Sequence, residues 1–381
     1  MPTTLTVRGS YRGYSGCDRT VRSFVQYLVA AGVQVELIDF PEWGPTRLPD
    51  DRREPWFDAL AAPVESSTVL HLCMPHQVAI APGRLNVNFT MFEAPPAPAA
   101  WIDRNLQHDL VILPTAEPSR RAWLAAGFPE DRIRLCPLGV DAQRFRPGLA
   151  PLELRDRQGR SVADYRVRVL NVSELTARKN LLGLLRTWVR ATRADDDAIL
   201  IIKLKAFAPV VLLRLLRDLH FLGRMIGKSR EQAAPIMFLD HVLSDAEMPR
   251  LYASATHYWS MSYGEGWDQP MTEAGAAGLQ LIAPDHTAYR TYLDPTVASM
   301  IPSQPVPAIC SEDPWLGPLF EGTTWWQPSE DAAVELVAKA VAGGNAPGLN
   351  ARQRLATAFS WQQATARLIE ILDQLEADCG R

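Results

Sequence analysis

Short apolar runs alternate with stretches of helical periodicity along the whole chain. In the first half the runs predict strands at 4–7, 33–40, 68–73, 85–92, 110–113 and 133–136, with helices at 21–31 and 118–126. Gly127 follows the second of these helices as a C-terminal stop. The pattern then restarts, with strands at 167–172, 198–204, 236–239, 257–261 and 279–283. Strands alternating with helices build βαβ units and parallel sheets, so the pattern predicts an α/β chain with two Rossmann-like domains. We place the first domain at 1–151 and the second at 167–349. The segment 152–166 between them is polar and aperiodic and reads as a linker. A long helical pattern over 350–377, carrying Phe359 and Trp361, fills most of the last segment, 350–381.

The length of 381 residues exceeds one ordinary core and suits two domains. Hydrophobic content of 47% and charged content of 22% are those of a soluble globular protein. A net charge of −4 offers no global attraction to nucleic acid or to an anionic membrane. Cys17, Cys73, Cys136, Cys310 and Cys379 are odd in number, widely spaced and without a CxxC pair. They read as reduced thiols in a cytoplasmic setting. No Cys/His cluster has metal-ligand spacing, the N-terminus lacks a signal-peptide core, and no apolar run is long enough to span a bilayer. The segment 207–230 is apolar and cationic, which suits either peripheral membrane contact or an amphipathic helix packed on a sheet. The second is the commoner origin of such a pattern. Usage rich in Ala, Arg and Pro suggests a GC-rich bacterial source.

In open parallel sheets, ligands bind beyond the carboxyl ends of the strands. Five polar clusters fall on that edge. GSYRGYSG (9–16), with Gly13, Tyr14 and Gly16, is either a close-approach loop or simply a turn. Glu93 follows the fourth strand and serves either a substrate or the cap of the next helix. Arg178 and Lys179, in SELTARKN (173–180), sit near a helix start, where cations counter the dipole poorly and a bound anion would explain them. His241, Val242 and Leu243 follow the strand at 236–239, and Ser244 with Glu247 forms a capping box behind them.

The fifth cluster, YGEGWDQPMTEAG (263–275), is the richest. Gly264, Glu265 and Gly266 form a glycine-broken loop. Trp267, Asp268, Gln269, Pro270 and Met271 lead into a helix carrying Glu273. Carboxylates accept hydrogen bonds from sugar hydroxyls, and a helix N-terminus offers N–H groups to phosphate. Lys203 and Lys205 end a strand on the same edge. The triplet Asp195, Asp196 and Asp197 precedes its strand, on the opposite edge, and reads as a solvated turn. Trp259, Trp267, Trp325 and Trp326 read as core or helix-packing residues.

Three of these stretches together resemble retaining glycosyltransferases of family four. PLGVDAQRFRP (137–147) resembles the family's P-x-G-V-D-x-x-x-F-x-P segment, ELTARKN (174–180) its phosphate-binding loop, and EGWDQPMTEAGAAG (265–278) its E-x7-E motif. The resemblance covers nearly the whole chain. It implies a GT-B fold, with two Rossmann-like domains facing across a cleft and a C-terminal helix crossing back to the first. It implies transfer of a sugar, with retention and without metal or other cofactor, from a UDP, GDP or TDP sugar to a sugar or small-molecule acceptor. Glu265 would then contact the donor sugar, Glu273 the ribose, and Lys179 with Arg178 the diphosphate. Backbone N–H groups of 266–271 and of the Gly13–Gly16 loop would complete the phosphate cradle, and 241–243 would face the base. Lys203 would assist in donor binding, and Glu93 and Tyr14 would lie near donor sugar or acceptor.

The chain departs from the family by holding Ser173 and Glu174 where a glycine–arginine pair is usual, so Arg178 stands as the substitute cation. A sugar-nucleotide epimerase, a phosphorylase or a non-catalytic sugar-nucleotide binder shares the same fold and remains the alternative. Nucleic acid is not an expected partner.

Overall fold

The computed structural model describes residues 3–40, 47–49, 53–204, 209–310, 317–343, 348–378 and 380. Lys205 and Cys379 lie outside them. The chain divides into two compact units, Met1–Gly139 with Ala358–Arg381, and Val140–Thr357.

The first unit holds β1 (Thr4–Gly9), β2 (Gln34–Asp39), β3 (Thr68–Leu72), β4 (Leu85–Thr90) and β5 (Val111–Pro114). They form one parallel sheet in the order β2-β1-β3-β4-β5. β3 and β4 are buried along their whole length, as strands covered on both faces must be. The sixth strand expected at 133–136 is not one. Ile133 makes a single parallel bridge to Ile112, and Arg134 and Cys136 donate backbone bonds to Ile112 and Pro114. The pairing stops there, where β5 itself ends at Pro114. Gly127 does stop the helix Glu117–Ala125, with φ +84.

The second unit holds β6 (Val167–Ser173), β7 (Ala198–Leu204), β8 (Ile236–Leu239), β9 (His257–Trp259), β10 (Gln280–Pro284) and β11 (Ser299–Ile301), parallel in the order β11-β10-β9-β6-β7-β8. Its core is built from Val169, Leu200, Ile202 and Trp259 with Leu184, Leu185 and Trp188 of the helix Leu181–Ala191. An antiparallel hairpin of β12 (Ser303–Pro307) and β13 (Thr324–Pro328) was not expected. Pro305 and Pro307 in β12 and Pro328 at the end of β13 obscured it.

Two boundaries differ from expectation. The segment 152–166 is part of the second unit and not a linker. Leu152 N–H donates to Arg250 O, and Val162 and Tyr165 are buried. The C-terminal pattern is two helices, Gly348–Ala358 and Trp361–Asp378, separated at Phe359 and Ser360. The Ser360 hydroxyl takes the Gln363 N–H, which restarts the helix. The second helix belongs to the first unit, where Trp361 meets Phe24 edge-on at 5.1 Å. Gly139 lies against the Trp361 backbone so closely that any side chain there would collide with it.

Candidate functional site

Arg178 and Lys179 lie in a single turn, Ala177–Lys179, between β6 and the helix Leu181–Ala191. Asn180 closes that turn in the left-handed region, at φ +48. Its side chain caps the helix by accepting from Gly183 N–H and donates to Met261 O at 3.0 Å. Arg178 O accepts from Tyr263 N–H at 2.8 Å and from the Ser262 hydroxyl. The cationic turn is therefore stitched to the segment that follows β9.

The two cations meet one buried carboxylate. Lys179 Nζ lies 2.6 Å from Glu265 Oε1, and Arg178 lies 3.0 Å from Oε2 and 2.6 Å from Gly264 O. Burial opposes ionisation of Glu265, but Lys179 and Arg178 outweigh it and hold the carboxyl down to about 2. The Glu265 backbone is also pinned. Its N–H donates to Thr287 Oγ1 at 3.1 Å, and its carbonyl accepts from Ala288 N–H.

His286 completes this support. Its Nε2 faces Ser262 O at 2.9 Å, so Nε2 carries the proton, and Nδ1 accepts from the Thr287 hydroxyl at 2.9 Å. Burial pushes the imidazole down to about 4, which keeps it neutral. Trp326 stacks on this ring at 6.0 Å, and Trp325 stacks on Tyr263 at 5.8 Å. The tryptophan pair thus backs the site from the unexpected hairpin.

Asp268 precedes the helix Gln269–Ala276 with φ +66 and is buried. Tyr289 O–H donates to its Oδ2 at 2.8 Å, while Oδ1 has no partner among the described residues. Burial and the nearby Glu265 charge push this carboxyl up to about 6. Tyr292 O–H holds the Trp267 carbonyl at 2.6 Å. Glu273, on the helix, is buried and accepts from Tyr252 O–H at 2.7 Å. Tyr252 packs edge-on against Phe145 of PLGVDAQRFRP, at 5.5 Å between ring centroids. Phe145 thus packs on the tyrosine that holds the second carboxylate.

The phosphate cradle expected over 266–271 is narrower than the sequence suggested. Pro270, in the first turn of the helix, has no N–H, and the Met271 N–H donates to Asp268 O at 3.1 Å.

The loop GSYRGYSG also departs from expectation. Gly13 N–H donates to Asp18 Oδ1 at 2.9 Å, and Ser15 N–H donates to Oδ2 at 3.0 Å. The Ser10 hydroxyl donates to Oδ1 as well. Arg22, behind it, holds the carbonyls of Tyr11 and Gly13. The buried Asp18 carboxylate already takes the Gly13 and Ser15 N–H groups, so these two donors are spent within the chain. Gly16 opens the helix Gly16–Ala30 and is exposed, and Tyr14 is half-buried. Ser15-x-x-Asp18 is a capping box, and that spacing was the signal for it.

The remaining candidates are placed as follows. Glu93 is half-buried after β4 in the first unit, and the next helix, Ala99–Gln107, has no side-chain cap, so Glu93 is not its cap. Lys203 is buried at the end of β7, donates to Leu204 O, and is pushed by burial down to about 8. His241 is exposed, Val242 half-buried and Leu243 buried, directly after β8. Ser244 and Glu247 exchange backbone and side-chain bonds as the capping box requires. Asp195, Asp196 and Asp197 form a polar turn before β7, with Arg160 paired to Asp197 at 2.7 Å. No group of three potential metal ligands occurs among the described residues. No described helix is long and apolar enough to cross a membrane.

No protein-family model matches the chain, and no curated protein matches it in sequence. Solved structures do match its fold. Anabaena HepE, solved in complex with UDP and glucose, superposes with a TM-score of 0.63 at 11% identity, covering 98% of this chain and 100% of its own. Sucrose-phosphate synthase from Thermosynechococcus elongatus gives 0.64 at 14% identity, covering 99% and 100%. A glycosyltransferase from Rickettsia africae gives 0.63 at 13% identity, covering 98% of each chain. The fold is GT-B, with its two Rossmann-like domains.

Proposed function

We propose that this chain is a retaining, metal-independent glycosyltransferase of the family-four type. It would move a sugar from a nucleoside diphosphate sugar to a hydroxyl of a sugar or small-molecule acceptor. The observation that carries this reading is the buried Glu265 carboxylate gripped by both Lys179 and Arg178, two cations at a helix start. The complex of HepE with UDP and glucose makes a UDP sugar the first donor to test.

The difficult step is cleavage of the bond between the anomeric carbon and the phosphate oxygen. Negative charge grows on the leaving diphosphate while the sugar becomes oxocarbenium-like. Lys179 has three N–H donors and Arg178 a planar fork, so both can meet phosphate oxygens while still bonded to Glu265. Fixed cations at that position do the work a divalent metal does elsewhere. The acceptor oxygen bonds to the anomeric carbon on the face the diphosphate leaves, and its proton passes to a diphosphate oxygen. Glu265 keeps acceptor capacity for a sugar hydroxyl, and Glu273 presents its carboxylate to the ribose.

A thermal-shift screen with UDP, GDP and TDP sugars tests the reading. A donor at about 100 times its Kd adds roughly 2.7 kcal/mol of stability. Absence of stabilisation by any of these donors would sink it.

A further inference from the structure

The helix Pro209–Ile226 has two unlike faces. Leu219 lies in the core of the second unit, and Leu215 and Ile226 pack against that core. The opposite face carries Leu213, Phe221 and Met225, which are 65%, 57% and 82% exposed. These are three of the seven large hydrophobic side chains exposed among the described residues, so one helix holds nearly half of them. At about 100° per residue, all three fall within an arc of about 120°. The exposed Arg214, Arg217 and Arg224 interleave within the same arc. His220 borders it on one side. Asp218, the helix's one acidic residue, borders it on the other and pairs with Arg217 at 3.0 Å.

Such a face needs a partner that takes apolar and cationic side chains together. A nucleic acid would engage the arginines and leave Phe221, Leu213 and Met225 in water. A second copy joined by two-fold symmetry would bring arginine against arginine. An anionic lipid surface satisfies both sets. The apolar side chains enter the boundary of the acyl region, and the arginines reach up to headgroup phosphates. We propose that the outer face of Pro209–Ile226 docks on an anionic membrane surface. This inference is independent of the glycosyl-transfer reading, since none of these residues belongs to the Glu265 site.

The test uses the full chain with vesicles of phosphatidylcholine alone and vesicles containing about a third phosphatidylglycerol. Binding is expected only to the anionic vesicles and should weaken with salt over the range where exposed charges are screened. The variants F221S/M225S and R217Q/R224Q should each lower partitioning roughly tenfold. Circular dichroism and donor binding should stay unchanged in both. Equal binding to the two vesicle types, or undiminished binding by both variants, would overturn the proposal. So would a dimer of the parent chain that dissociates in F221S/M225S. RNA binding without vesicle binding, lost in R217Q/R224Q, would overturn it as well.

Discussion

Lys179 Nζ and Glu265 Oε1 lie 2.6 Å apart, joining the turn before one helix to the loop before another across 86 residues of sequence. The pair does two things at once. It stabilises a carboxylate that burial alone would neutralise, and it fixes an ammonium where a diphosphate is expected.

Lys179→Ala should therefore cut transfer by about a hundredfold or more, the scale of removing one preorganised electrostatic contact. Arg178 stays beside Glu265, so the fold should survive with a loss of about 2 kcal/mol, less than for a buried charge left with no partner. Steady-state kinetics and a urea melt on the same sample check both parts. Turnover at the parent rate would remove Lys179 from the mechanism.

Glu265 also sets an acid limit. Its folded value near 2 lies below the ordinary carboxylate range, so its stabilisation is present above about pH 4.5 and is lost as pH falls toward 2. Glu265→Gln should flatten that acid loss in thermal melts and abolish transfer. An unchanged acid slope in the variant would contradict the assignment.

Asp268 works in the opposite sense. Burial and Glu265 raise its folded value to about 6, so the folded chain holds a proton that the unfolded chain has released. Its contribution to stability is fully present below about pH 4 and declines as pH rises to about 6. Asp268→Asn keeps an acceptor for Tyr289 and removes the charge. It should gain about 1–3 kcal/mol over the parent at pH 7 and nothing at pH 4. A gain independent of pH would mean that the carboxylate is not the cause.

Tyr252→Phe removes the hydroxyl that holds Glu273 Oε2. If Glu273 grips the ribose, the variant should bind UDP several-fold more weakly, and Glu273→Ala more weakly still. Calorimetric titration with UDP measures both, and parental affinity in Glu273→Ala would discard the role.

Transfer should persist in chelator, because Lys179 and Arg178 supply the positive charge. Activity that vanished in EDTA and returned only with Mn²⁺ or Mg²⁺ would refute that.

Much of the fold was legible because its signals are local. The runs at 198–204 and 236–239 became β7 and β8 without change, since apolar runs between turns have few other solutions. The hairpin β12–β13 was hidden by its prolines. The break at Phe359 and Ser360 was hidden because a serine cap inside a continuous helical pattern looks like one more polar position. In the site, Arg178, Lys179, Glu265 and Glu273 were visible from strand-edge position and helix-start chemistry. Tyr252, His286 and Tyr289 were not, because nothing local marks a side chain that works on a residue 21 or 24 positions away. Asp18 was readable as the acidic member of a capping box from its spacing to Ser15.

The sequence by itself determined the α/β alternation, the two parallel sheets, and which residue types reach their carboxyl edges. Those follow from periodicity and from the direction of parallel strands. The tertiary structure alone decided which charges meet. Lys179 and Arg178 spend their charge first on Glu265, Asp18 takes the Gly13 and Ser15 N–H groups, and Asp268 is left as a buried acid with one unmatched oxygen. Charge pairing depends on distances of a few ångströms and on exclusion of water, and both arise only when distant segments pack.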